Sequence, residues 1–141
     1  MKPMKKILSA VLIASLLLGL IGLSGCGRYV SHYSAVGCVH SNDSDSADLR
    51  FQSFEGTMVF RLKYDGKKPA NLNYTAKLKT GSATVYYDVD GTKEEWFPVR
   101  GGEEIDGRGG EPARGSFYVI VETDEPCREG EFRFVIEYPD N

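Results

Sequence analysis

Catalysis and metal binding need nucleophiles, bases or ligands brought within reach of one another, and this sequence is sparing with them. Its 141 residues hold two histidines, His32 and His40, and three cysteines, Cys26, Cys38 and Cys127. Both histidines precede residue 49, where the pattern of a folded domain begins. Ser-His-Asp and Cys-His catalysis in their usual forms therefore lack a base in that domain. His-based zinc or copper sites lack their ligands there too. His40 stands two residues from Cys38, but so few ligands on a polar stretch do not define a site, and no metal is expected.

Carboxylates are plentiful but poorly arranged. Asp43, Asp45 and Asp48 open like a calcium loop, yet Ala47, Asp48 and Phe54 occupy the fifth, sixth and twelfth positions, where Asx, Gly and Glu are required. Glu94-Glu95 and Glu103-Glu104 could serve glycoside hydrolysis only across a cleft at a defined separation. Neighbours in a strand point to opposite faces, so neither pair is a natural dyad. The glycine-rich Gly107-Arg108-Gly109-Gly110 has no strong apolar strand before it and no helix after it, so it is not a nucleotide fingerprint. It reads as part of a long mobile loop over 101–115, a place where binding often resides. No catalytic residue is assigned, and a small hydrolase is the least favoured reading.

Binding chemistry has better candidates. Trp96 is the only tryptophan and lies beside Phe97. In an alternating strand one of the two faces out, and an exposed indole near Tyr86 or Tyr118 could stack on a sugar ring. Arg61, Lys63, Lys77 and Lys79 alternate with apolar residues and predict a cationic face on a hairpin. Residues 57–80 carry six bases against Asp65 alone, whereas 101–141 carry eleven acids and four bases. A cationic face could meet an anionic membrane or wall polymer, or simply keep exposed strands soluble. The net charge of −3 argues against a nucleic-acid partner.

The elements that would position these residues read as strands. Met58, Phe60, Leu62 and Tyr64 share one face, as do Tyr74, Ala76 and Leu78, then Phe117, Val119 and Val121, then Phe132, Phe134, Ile136 and Tyr138. Strands are predicted at 49–54, 57–64, 72–79, 83–89, 94–99, 102–106, 116–123 and 131–138. Turn signals separate them, and Asp90-Gly91 predicts a two-residue type I′ hairpin. No sustained helical period occurs after residue 26. About eight strands in some 90 residues predict an all-β fold, a small antiparallel sandwich of jelly-roll or immunoglobulin-like form, with a small barrel as the alternative. The polar run Ser41–Asp48 predicts a flexible tether over 26–48.

The first 25 residues are different material. Lys2, Lys5 and Lys6 precede an apolar run from Ile7 to Leu23, the pattern of a secretory signal. The run ends Leu23-Ser24-Gly25-Cys26, which resembles the lipobox of bacterial lipoproteins at all four positions. The resemblance implies cleavage before Cys26, a diacylglycerol on its sulfur, an N-acyl group such as palmitate, and no other cofactor. It implies an extracytoplasmic domain on the cell membrane. Gly27 follows the cysteine, not Asp, so in a diderm host the usual inner-membrane retention signal is missing and the outer membrane is open to it.

With Cys26 acylated, Cys38 and Cys127 remain as a pair able to close a structural disulfide outside the membrane. The organisation expected is thus a signal peptide at 1–25, a lipidated tether at 26–48 and a sandwich at 49–141. The expected role is a non-enzymatic binding or structural domain at the cell envelope, with an envelope polymer, glycan or protein as partner. A carbohydrate- or wall-polymer-binding module is the main alternative.

Overall fold

The computed structural model describes residues 29–139; the lipobox, Cys26 and the signal segment lie outside them. The described chain is all strand: β1 (His32–Val36), β2 (Val39–Asn42), β3 (Ser46–Tyr64), β4 (Asn71–Asp88), β5 (Lys93–Arg100), β6 (Glu104–Gly110) and β7 (Gly115–Glu137). All pairings are antiparallel, in the order β1-β3-β7-β4-β5, with β2 also on β3 and β6 also on β4.

Three strands are too long to be flat. β3, β4 and β7 run 19, 18 and 23 residues, and each changes the parity of its buried side chains midway. In β3, Ala47, Leu49 and Phe51 are buried, then Met58, Phe60, Leu62 and Tyr64. In β4 the buried set passes from Ala76 and Leu78 to Ala83 and Val85, and in β7 from Phe117, Val119 and Val121 to Phe132, Phe134 and Ile136. A strand that keeps facing one core while its parity flips has bent through an irregular corner. The register slips where the corners should be, between Phe54 and Thr57 and around Thr80–Ala83. Glu129 at φ 48° marks the corner in β7. At Gly81, φ is +96°, and a Cβ would stand 2.4 Å from the Pro126 carbonyl oxygen. Only glycine lets β4 and β7 turn together there.

One continuous sheet is thereby folded into two facing layers, the sandwich that the periodicity predicts. The first layer holds β2, the start of β3, the end of β7, the start of β4, and β6. The second holds the end of β3, the start of β7, the end of β4, and β5, while β1 runs along the corner of β3 at Ser53–Thr57. Aromatic side chains join the layers: Phe134 of the first meets Phe60, Trp96 and Phe97 of the second, with ring centroids 6.2, 5.8 and 6.4 Å away. Strands that switch layers at bends are a recognised way to close such a core.

Several expectations are corrected. Eight predicted pieces become five strands, because four of them are halves of β3 and β7, and 72–79 and 83–89 join as β4; the unpredicted β1 and β2 bring the total to seven. Residues 32–48 are not a flexible tether: they form β1, β2 and the start of β3. The Asn42 side chain donates to the Arg61 carbonyl at 2.8 Å and accepts from the Arg61 amide at 2.9 Å, and Lys63 N–H donates to the Ser44 carbonyl at 2.7 Å. These bonds fasten the β2–β3 turn to the other layer. Hydrogen bonding, not apolar burial, orders this polar run, which is why hydropathy missed it. The segment 101–115 is largely β6 and its turns rather than a long loop. The β4–β5 hairpin has Asp88 opposite Lys93, so its loop has four residues, not two.

Cys38 and Cys127 are free thiols. Cys127 Sγ lies 3.3 Å from the carbonyl oxygens of both Ser82 and Glu125, which share its single S–H donor. Cys38 lies in the β1–β2 turn, and β3 runs between that turn and Cys127, with Ser53 opposite both Val36 and Arg128. Two strand spacings are about 10 Å, beyond the roughly 4.4–6.8 Å Cα separation of a disulfide. The expected Cys38–Cys127 bridge is not formed.

Candidate functional site

Trp96 owes its position to a fault in the β4–β5 ladder. Val85 pairs with Phe97 and Tyr86 with Glu95, which leaves Trp96 as the extra residue of a bulge. Regular alternation would send one of Trp96 and Phe97 outward. The bulge turns both toward the core, where both rings touch Phe134 and Tyr74. Tyr74 stacks on Phe97 at 4.1 Å and 11°, and meets Trp96 edge-on at 4.9 Å and 71°. Tyr74 itself lies over the backbone of Gly107, where a Cβ would stand 2.2 Å from the ring. β6 can therefore run alongside this aromatic stack only with glycine there.

The part of Trp96 that is not packed lines a cleft of about 520 Å³, together with Leu72, Tyr87, Val89, Phe117 and the segment Gly110–Ala113. The cleft is mostly apolar, with few polar groups at its edge, the usual make-up of a small-molecule or polymer site. One polar group is the Tyr87 hydroxyl, which donates to Glu94 Oε2 at 2.7 Å. That bond, with the charge of Glu94, raises the Tyr87 phenol above its ordinary range. Glu111 supplies an exposed carboxylate at the opposite wall. The lone tryptophan and the last glycine of the glycine-rich segment, with the residues that follow it, thus line one concavity.

The loop beneath this cleft is anchored by Asp88, which is 4% exposed. Its carboxylate accepts from the Gly91 amide at 2.6 Å and from the Tyr29 hydroxyl. The Tyr29 ring packs edge-on against Tyr118 at 5.4 Å. Held against the Asp88 carboxylate, the Tyr29 phenol rises from 10.0 to about 12. Nothing in the sequence pairs Tyr29 with Asp88, 59 residues on; only the fold brings them together.

The four cations do not form one face. β7 lies between the end of β3, with Arg61 and Lys63, and β4, with Lys77 and Lys79, and the two pairs belong to different layers. Lys77 pairs with Glu131 and Lys79 with Glu129, both at 2.8 Å. Arg61 Nη2 donates to Ser116 at 3.2 Å, and Lys63 is exposed. The expected hairpin fails because sequence neighbours are not sheet neighbours here. Tyr86 and Tyr118 are not in the cleft lining; Lys93 sits over the Tyr86 ring at 4.3 Å. Glu103 accepts from the Arg100 amide at 2.7 Å and shapes a turn. His32 and His40 stand on the outer strands β1 and β2. Among the described residues, no three His, Cys, Asp or Glu side chains gather as a metal centre.

No protein-family model and no curated protein matches the chain. Solved structures resemble it distantly. A mutant of a family 29 carbohydrate-binding module is 13% identical over 77% of this chain and 79% of its own, with a TM-score of 0.40. A family 29 module mutant complexed with mannohexaose is 11% identical over 78% and 92%, also with a TM-score of 0.40. A CBM4 structure is 11% identical over 75% and 81%, with a TM-score of 0.39. At that distance none of them assigns a residue or a ligand to this chain.

Proposed function

We propose that this chain is a non-enzymatic binding protein of the bacterial cell envelope. Its sandwich takes a carbohydrate chain in the Trp96 cleft, and a lipid on Cys26 holds it at the membrane. The single observation that supports the binding reading most is the convergence of Trp96, Tyr87 and the Gly110–Ala113 segment on one apolar concavity. An indole held by Tyr74, Phe97 and Phe134 and left half-buried at the cleft is a preorganised surface against which a sugar can pack. Ordering cost is small, because the core contacts already hold the ring. The Tyr87–Glu94 pair and Glu111 offer hydroxyl-directed hydrogen bonds at the rim. The lipid reading rests on Leu23-Ser24-Gly25-Cys26 and the cationic, apolar run before it.

Affinity electrophoresis of the full chain through gels containing neutral glucans, mannans, xylans or galactans tests the binding reading. At least one polymer should retard it. Tyr87→Ala, which leaves the Trp96–Phe134 contact in place, should weaken that retardation about tenfold, a loss of about 1.4 kcal/mol. Titration of the same polymer should also shift the emission of the single tryptophan. Retardation by none of the polymers, or an emission that stays fixed while binding occurs, rules the cleft out. For the anchor, intact mass of the mature chain decides: an unacylated Cys26 ends that part of the proposal.

A further inference from the structure

The structure removes most of the tether expected between lipid and domain. Tyr29 is fixed to Asp88 and packed on Tyr118. Ser31 accepts from the Val59 amide at 2.8 Å, and β1 begins at His32. Only Gly27 and Arg28 stand between Cys26 and this fixed start. Three Cα steps reach at most about 11 Å. A diacylglycerol-bearing cysteine sits at the hydrocarbon boundary, beneath an interfacial layer about 5–8 Å thick on each side of a bilayer. The Tyr29 Cα then stands no more than about 3–6 Å clear of the headgroups, less than the width of a side chain.

We infer that the domain rests directly on the lipid headgroup surface, seated on the end that carries Tyr29, Val30 and the β4–β5 loop. The inference depends on the proposal that Cys26 is acylated, and it adds the orientation of the domain. Val30 is 73% exposed and Val89 37%, apolar side chains at the point of contact that an interfacial layer receives more readily than bulk water. Asp88, bonded to Tyr29, is buried and hydrogen-bonded and presents little charge to the surface, whereas Asp90 of the same loop is exposed. Val89 both adjoins Asp88 and lines the Trp96 cleft. The cleft therefore opens beside the membrane, and its ligand belongs to saccharide chains held close to that surface, not to polymer tens of ångströms away.

Depth-dependent quenching tests the seating. The acylated full chain, with Trp96→Phe to remove the native indole, is made with Val30→Trp or with Val36→Trp. Val36 is also exposed, and six residues along an extended chain place it about 20 Å away. Each protein enters phosphatidylethanolamine–phosphatidylglycerol vesicles containing a headgroup-spin-labelled lipid. The indole at position 30 should be quenched at least threefold more than the one at 36. Inserting twelve Gly/Ser residues after Arg28, with an r.m.s. reach of about 20 Å, should abolish the difference. Equal quenching at the two positions, or none at either, overturns the inference while Cys26 acylation stands. An intact mass showing an unmodified Cys26 overturns the anchor and the seating together, and neither result touches glycan binding measured in solution.

Discussion

The bond from Tyr29 to Asp88 offers a sharp test of how the N-terminal segment is held. Tyr29→Phe deletes one hydroxyl and keeps the ring, so the edge contact with Tyr118 at 5.4 Å survives. Asp88 keeps the Gly91 amide at 2.6 Å but loses its second donor. A hydrogen bond to a charged group is worth about 1.5–3 kcal/mol, and a buried acceptor stripped of a partner keeps its desolvation cost. The variant should lose about 1.5–3 kcal/mol, a fall in Tm of roughly 6–12 °C for a domain of this size. Urea unfolding followed by Trp96 emission measures it, with an unchanged m-value. The pH dependence has a fixed sign. Tyr29 rises from 10.0 to about 12 on folding, so its contribution is whole below pH 10 and is lost as pH climbs through 12. The gap between wild type and Tyr29→Phe should narrow over that interval. Equal stability of the two proteins at pH 7 would refute the account, as would an unchanged gap at pH 12.

Other consequences can be checked with the same domain. Phe134→Ala removes a ring that is 0% exposed between Phe60, Trp96 and Phe97. It should cost about 3–5 kcal/mol in urea unfolding. Gly81→Ala puts a Cβ 2.4 Å from the Pro126 carbonyl oxygen at φ +96°, and should cost more than about 2 kcal/mol; a neutral result would mean that β4 does not turn at that corner. Burial pushes the Cys127 thiol up to about 11. Iodoacetamide at pH 8 should therefore alkylate Cys38 well before Cys127, with peptide mass mapping as readout, and the two rates should converge in urea.

The strands were legible in the sequence because burial writes a period of two. Met58 to Tyr64 and Phe132 to Ile136 have the inward faces that their spacing predicts. The corners were not legible as corners. A parity flip between Phe51 and Met58 looks the same whether the chain ends a strand and starts another or bends one strand at a corner. Pairing was also hidden. β3 and β4 are neighbours in sequence, joined by a short turn at 65–70, yet β7 comes back from the far end of the chain to lie between them. The cationic hairpin built on Arg61, Lys63, Lys77 and Lys79 failed for that reason alone.

The candidate site shows what kind of information the linear pattern lacks. Composition picks out Trp96, and glycine content picks out 107–110, but neither says that they meet. Their meeting depends on two irregularities that no periodicity encodes: the bulge that leaves Trp96 unpaired between Glu95 and Phe97, and the register shift that carries β6 from Gly107 opposite Tyr74 to Gly110 opposite Leu72. Both faults occur beside aromatic rings of the core. Tyr74 occupies the space above Gly107, and the Trp96 and Phe97 rings both need room against Phe134. The concavity is thus made by the packing of the core itself. Trp96 packs on Phe134 and also lines the cleft, so a substitution such as Phe134→Ala should disturb the Trp96 wall along with stability. Emission of Trp96 in the folded variant, compared before and after addition of a retarding polymer, separates the two effects: a core-only role for Trp96 predicts an altered baseline with no ligand response even in the wild type.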